Sequence, residues 1–481
     1  MPAPDQPPGQ LTRNTAYLTV ASIVQKILAF AYFVVFANLI GTQNTGSFFF
    51  AVSFANLFGI FVDLGFSPMV IRDVARDPSR ARAIYSAVMR FKVWTAITTT
   101  VALVGIAPFI IHDALTRWLL VLAALVMVFE SFALTAYGVL RGLQRLRFEA
   151  VGSTISQVLI LLVGVTGLVA TRQPIWLGIA LLAASLFNVT YATTRLRAAL
   201  PPSAGTGPAG LPWSKRAMSP FFLSGLFVRV YAYVDTVLVG LLSTSHYVGL
   251  YGAAYRITYA LQFLPVAFNT SVYPALSQAF ELSRERLEHL IVLSLRGLSF
   301  LSFPIAALII VHARPILALI TPEFVDAALA LQISIASVPF LFINLFLTSL
   351  LNAMNRQVNN TIGLGGVVTV NVLLNLMLIP QWQHVGASIA ALASAITFTV
   401  YGFIAARDRI AWRSLGAFAV RLGLATAAMT LVSLVLVDRL PVLVSLALGG
   451  GVYVIGSMLA RSISRSELAL LVRQLRQRGS V

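Results

Sequence analysis

Arg229, Asp235 and Arg256 fall within FFLSGLFVRVYAYVDTVLVGLLSTSHYVGLYGAAYR, a stretch (residues 221–256) otherwise apolar enough for two membrane-spanning helices. A charged side chain at mid-membrane costs about 2.5–3.5 kcal/mol on insertion scales, so it normally faces a bundle interior or a watered cavity. Lys26, Arg296 and Arg421 add basic groups inside apolar runs, and Glu130 adds a second deep acid. Basic groups therefore outnumber acids at depth. Such a set makes a net-positive chamber suited to holding charge rather than to breaking bonds.

Other chemistries find no residues. The chain has no cysteine, which excludes disulfides, thiolate metal sites and cysteine nucleophiles. Its five histidines (112, 246, 289, 312 and 384) sit at span ends or in loops without ligand spacing, so no metal is expected. No Gly-rich phosphate loop is present, and neither a cofactor nor ATP-driven transport by this chain is expected. The reading is not that of an enzyme.

The elements that must position these charges are membrane helices. The 481 residues are 58% hydrophobic and 10% charged, with a mean hydropathy of +0.87, beyond any water-soluble domain of this length. The apolar runs are continuous over ~20 residues, the length of a spanning helix, and do not alternate as barrel strands do. The first run is too long for a signal peptide and lacks a small-residue cleavage site, so it is expected to remain as the first span. Fourteen spans between residues 14 and 460, both termini cytoplasmic, place 23 of the 34 Lys and Arg on the cytoplasmic side, 4 outside and 7 within spans. This positive-inside asymmetry makes topology, not nucleic acid, the reason for the net charge of +18. Trp118, Trp176, Trp382, Trp213 and Trp412 fall at the interfaces, and Trp94 does not.

The chain also repeats. A shift of 203 residues aligns Arg13 with Arg216, Lys26 with Arg229, Leu39 with Leu242, Gly46 with Gly249 and Ala51 with Ala254, and a shift of 211 aligns LRGLQR with LNAMNR at 351–356. Two six-span lobes in parallel orientation follow, 1–200 and 216–406, joined by a Pro/Gly/Ser-rich cytoplasmic linker at 201–215. Residues 407–481 supply two more spans and a basic cytoplasmic tail.

Depth sorts the charges. Lys26 lies ~20 Å along its helix from Arg13, near the midplane, and Glu130 lies ~16 Å from Arg141. Arg256 and Arg296 lie ~10 Å and ~12 Å from opposite surfaces. Arg229 and Asp235 are six residues apart and so are not an i,i+4 pair. Each cation has a plainer reading as a snorkelling or helix-to-helix contact, strongest for Arg296. Arg90 and Lys92 near the inner end of the third span read as snorkelling side chains. LIGTQNTGSFFF reads as a short outer turn, and Pro265 and Pro274, with Gly225 and Gly240, mark helices able to bend.

The run LIGTQNTGSFFFAVSFANLFGIFVDLGFSPMVIRDVAR, the segments VDTVLVG and VGLYGAAYRI, and GASIAALAS at 386–394 resemble the bacterial lipid-linked oligosaccharide (O-antigen and polysaccharide unit) flippases. The resemblance extends from about residue 10 to 405. It implies the multidrug/oligosaccharidyl-lipid/polysaccharide exporter superfamily: an all-α integral membrane fold, two six-helix lobes in a V around a central cationic cavity, and two C-terminal helices. It implies an undecaprenyl-diphosphate-linked glycan as substrate, with Lys26, Arg229 and Arg256 matching cavity cations. Lipid II flippases and multidrug exporters of the superfamily are the alternatives, although a basic chamber suits lipophilic cations poorly.

The expected diphosphate site is Lys26, Arg229, Arg256 and Arg296, with Glu130 and Asp235 as coupling or pairing acids. Basic side chains offer charge-assisted hydrogen bonds to diphosphate oxygens. An inside-negative potential of about 100 mV favours outward movement of two negative charges by roughly 4.6 kcal/mol; antiport through Asp235 or Glu130 is the alternative drive. The expected setting is the inner membrane, in lipopolysaccharide and O-antigen synthesis. The protein is expected to be a monomer working beside a polysaccharide polymerase and glycosyltransferases.

Overall fold

The computed structural model describes residues 8–200, 213 and 215–459; the linker tract at 201–212 and the basic tail beyond 459 lie outside the described residues. Every regular element is helical: α1 Pro8–Asp63, α2 Phe66–Arg76, α3 Ala81–Ile110, α4 Ala114–Gly142, α5 Arg147–Thr171, α6 Ile175–Ala199, α7 Lys215–Leu242, α8 Ser245–Ala260, α9 Phe263–Leu282, α10 Arg284–Val311, α11 Ala313–Ala318, α12 Ala328–Ala336, α13 Val338–Ala353, α14 Gln357–Ala406, α15 Trp412–Leu436 and α16 Val442–Leu459. No strand occurs among the described residues. Among the described residues, eleven segments are long and apolar enough to cross a membrane. The protein is a multi-pass membrane protein.

Three breaks reconcile the 11 segments with the fourteen intervals read from sequence. Gly41 (φ 72°, ψ −179°) divides α1, in a backbone region that is essentially glycine's own. The expected outer turn after Leu39 is thus a single non-helical residue, with helix resuming at Thr42. Gln383 (φ 43°, ψ −123°) divides α14 in the same way. The eighth span is split into α8 and α9. Pro265 explains the split, because its ring has no N–H and clashes with the carbonyl of residue i−4, Leu261, where the helix gives way. Pro274 is carried inside α9 without a break.

Packing divides the chain into two compact units, Met1–Gly249 and Leu250–Val481. In the first, α2 lies inside a cluster of Phe66, Val70 and Val74 with Ile84, Val88, Ala136, Leu140 and Leu196 from α3, α4 and α6. Leu64 (φ 47°) and Gly65 (φ 77°) turn the chain from α1 into this short helix, and a Cβ on Gly65 would stand 2.7 Å from the backbone nitrogen of Phe222. Trp213 packs against Phe66, ring centroids 6.1 Å apart, and donates from Nε1 to Asp73 Oδ2 at 2.5 Å. Burial alone would raise the Asp73 pKa; hydrogen bonds from Arg72 and Trp213 outweigh it and hold the carboxyl below the usual range.

At the far end of the first unit the two repeats meet at matching residues. A Cβ on Gly46 would lie 2.7 Å from Gly249 N and collide with the Ser245 carbonyl, while a Cβ on Gly249 would lie 3.3 Å from Gly46 N and collide with the Thr42 carbonyl. Ser245 is Thr42 shifted by 203, as Gly249 is Gly46, so the contact is reciprocal. Small residues four apart on both helices allow this backbone approach, and Thr42 Oγ1 and His246 Nδ1 close it at 2.9 Å.

In the second unit, α15 and α16 pack on α10 through Phe418, Leu422, Met429 and Tyr453 against Phe300 and Leu308. Tyr453 Oη donates to the Phe300 carbonyl at 2.7 Å. His312 Nε2 lies 2.8 Å from Ser445 Oγ.

Candidate functional site

Asn56, Gly59 and Asp63 follow one another on one face of the second limb of α1, at helical spacings of three and four. Asp63 Oδ1 accepts from Lys92 Nζ at 2.7 Å and from Ser67 Oγ at 2.8 Å. Lys92 Nζ also donates to Thr135 Oγ1 at 2.6 Å and to the Ser131 carbonyl at 2.9 Å. Its three protons are thereby all used.

The snorkelling reading of Lys92 is therefore overturned. Lys92 is 0% exposed, on the face of α3 that also buries Val88, Ala96 and Thr99. Reaching the headgroups would require leaving a carboxylate, which α1 delivers to that face. Arg90 is exposed, where snorkelling remains open to it.

Arg229, from α7, is half-buried against the same limb of α1. Its Nη1 donates to the Asn56 carbonyl at 2.9 Å. A Cβ on Gly59 would stand 2.7 Å from Nη1 and 3.3 Å from Cζ, so the missing side chain is the seat of the guanidinium. Arg229 is also within electrostatic reach of Asp63 and Lys92. Its one hydrogen bond among the described residues is to a backbone carbonyl, and it makes no ion pair there. Lys26 sits half-buried on the first limb of α1, beside Gln25, which donates to Ser153 and Thr154 of α5 at 2.9 and 3.2 Å.

Among the described residues, Glu130 meets an amide rather than a cation. Asn188 Nδ2 lies 3.2 Å from each carboxylate oxygen, and Tyr137 Oη donates to Asn188 Oδ1 at 2.7 Å. The tyrosine thus turns the amide so that its NH₂ faces Glu130. Asp235 is buried on α7, one turn from Tyr231.

The remaining candidates belong to the second unit. Arg256 is half-buried on α8. Arg296 donates from Nη2 to the Ser414 carbonyl at 2.6 Å and lies over the Phe418 ring at 5.6 Å, which is the helix-to-helix contact named above as its plainer reading. Arg421 is exposed on α15. Sequence reasoning missed Asn371 and Asn375, both 0% exposed on α14, where Asn375 Nδ2 donates to the Asn371 carbonyl at 2.9 Å. It also missed Asp63 as a buried charge, Asn188 as the partner of Glu130, and Gly59. A one-turn register from Asp63 to Gly59 was readable, but not what would cross it.

Comparison with known proteins agrees with this architecture. The MatE family model matches residues 220–380. The chain is 27% identical over 179 residues to the Probable flippase AglR of Haloferax volcanii, a match spanning 36% of this chain and 37% of that relative. It is 24% identical over 405 residues, 81% of each chain, to the Probable low-salt glycan biosynthesis flippase Agl15 of the same organism. A structure of the lipid II flippase MurJ in an inward closed conformation superposes with a TM-score of 0.77 at 17% identity, over 92% of this chain and 98% of that one. An inward-facing multidrug resistance MATE family transporter of the MOP superfamily gives 0.66 at 12% identity, over 82% and 98%. At such identities the structural likeness speaks for the fold. The polysaccharide biosynthesis protein family model matches residues 11–280, more than half of the sequence, and the chain belongs to that family.

Proposed function

We propose that the protein is a flippase moving an undecaprenyl-diphosphate-linked oligosaccharide from the cytoplasmic to the outer leaflet of the inner membrane by alternating access, for surface polysaccharide synthesis. Family membership and the flippase names of both Haloferax relatives support the lipid-linked glycan class. The observation that carries the substrate assignment is Arg229, a guanidinium inside a membrane bundle with one hydrogen bond and no ion pair among the described residues. Such a group is arranged to receive an anion, and a diphosphate cannot cross hydrocarbon unaided. Lys26, Arg229 and Arg256 are the proposed diphosphate cations. Arg296 joins them only when released from Ser414. The potential across the membrane drives the charge outward, and the protein performs no covalent chemistry.

Lys26→Ala and Arg229→Ala test the reading. Each should leave membrane levels normal and reduce export of the lipid-linked glycan, and charge reversal to Glu should abolish it. Lys26→Arg should be better tolerated than Lys26→Gln, because charge matters more than fork geometry for a mobile diphosphate. Full export by the Lys26→Glu, Arg229→Glu double variant at normal expression would overturn the assignment and favour a drug exporter.

A further inference from the structure

Asp63 lies four residues below Gly59, about 6 Å along the helix, and its side chain tilts toward the N-terminus as helical side chains do. It is thus the natural counter-ion for the guanidinium seated over Gly59. Yet Arg229 bonds a backbone carbonyl instead, while the charge of the carboxylate is met by Lys92, which together with Ser67 holds it through Oδ1. Lys92 is itself 0% exposed, with all three donors used within the protein, so it has none left for a ligand.

We infer that Lys92 is a positioning residue that keeps Arg229 available: by holding Asp63, it prevents the guanidinium from being neutralised inside the protein. The cluster of one carboxylate and two cations keeps a net charge of +1, and that charge sits on Arg229. Gly59 serves the same end by leaving room for the guanidinium beside the helix backbone. This inference rests on the proposed role of Arg229 as a diphosphate cation.

Binding of inorganic pyrophosphate to the detergent-purified full chain tests it, with Arg229→Ala as the reference. In Lys92→Met the freed Asp63 captures Arg229, and affinity falls at least tenfold, toward the Arg229→Ala level. In Asp63→Asn with Lys92→Met no carboxylate is left to capture it, and affinity returns to within about threefold of wild type. Lys92→Arg retains binding. In transport the loss in Lys92→Met appears in KM rather than kcat, a split that general loosening of the fold does not produce.

Gly59→Asp leaves the Lys92–Asp63 pair intact and places a carboxylate beside the guanidinium; measured against Gly59→Asn, which crowds the guanidinium equally without the charge, it should lower affinity by a similar factor, which keeps the test decisive if neutral Lys92 variants fail to fold. Wild-type binding by Lys92→Met, or equal binding by Gly59→Asp and Gly59→Asn, with binding lost in Arg229→Ala, overturns the inference alone. Unchanged binding in Arg229→Ala overturns the diphosphate reading beneath it.

Discussion

Replacing Lys92 by Met removes one partner of a buried ion pair and leaves the other, the costly way to break such a pair. Asp63 keeps only the Ser67 hydroxyl at 2.8 Å and loses the ammonium at 2.7 Å, while Thr135 still bonds the Ser131 carbonyl at 3.1 Å. A buried charge left uncompensated costs about 3–5 kcal/mol; Asp63→Ala, which strands the ammonium, should cost that much, and Lys92→Met should cost less, because Arg229 moves onto the freed carboxylate. The double variant strands neither charge, so it should cost no more than Asp63→Ala alone, which makes the coupling at least as large as the whole cost of Lys92→Met. Reversible SDS unfolding in mixed micelles, followed by tryptophan fluorescence, gives all four corners of the cycle. A Lys92→Met protein within about 0.5 kcal/mol of wild type, as at an ordinary surface position, would show that the pair is not the buried contact described here.

Reporter fusions after Arg82, Arg147, Lys215 and Arg409 should all report cytoplasm, and an outer signal at any of them breaks the fourteen-span topology. Glu130→Gln and Asp235→Asn should alter the pH or Na⁺ dependence of transport if either acid couples it; unchanged profiles in both would make the acids structural. The Asp73 carboxyl is depressed in the folded state, so its tie to Trp213 should persist above the unfolded carboxylate pKa of about 3.9 and be lost as pH falls through the lower folded value. Trp213 emission should therefore stay constant from pH 7 to about 5 and shift only below the usual carboxylate range, and Asp73→Asn should show the acid spectrum at pH 7.

Depth along a helix is readable from sequence because rise per residue is constant, and this is why Lys26 and Arg229 stood out as candidates. Lateral partners are not readable in this way. Asp63 and Lys92 are 29 residues apart, Glu130 and Asn188 58, and Arg296 and Ser414 118, and only packing decides which faces meet. Lys92 shows the consequence: near a span end by count, it is buried because α1 brings a carboxylate to its face. Pro265 was readable for the opposite reason, since its effect is local. At Gly41 the sequence showed a glycine but not that one residue would replace a turn.

The reciprocal contact of Thr42 and Gly46 with Ser245 and Gly249 has the form that two identical subunits make about a dyad, where each side presents the same patch to the other. Here both patches lie on one polypeptide, 203 residues apart. Such self-complementarity constrains later divergence: a larger residue at either glycine meets the partner backbone directly, whereas the surrounding positions can drift. All four of these positions accordingly carry a small residue, Thr42, Gly46, Ser245 and Gly249.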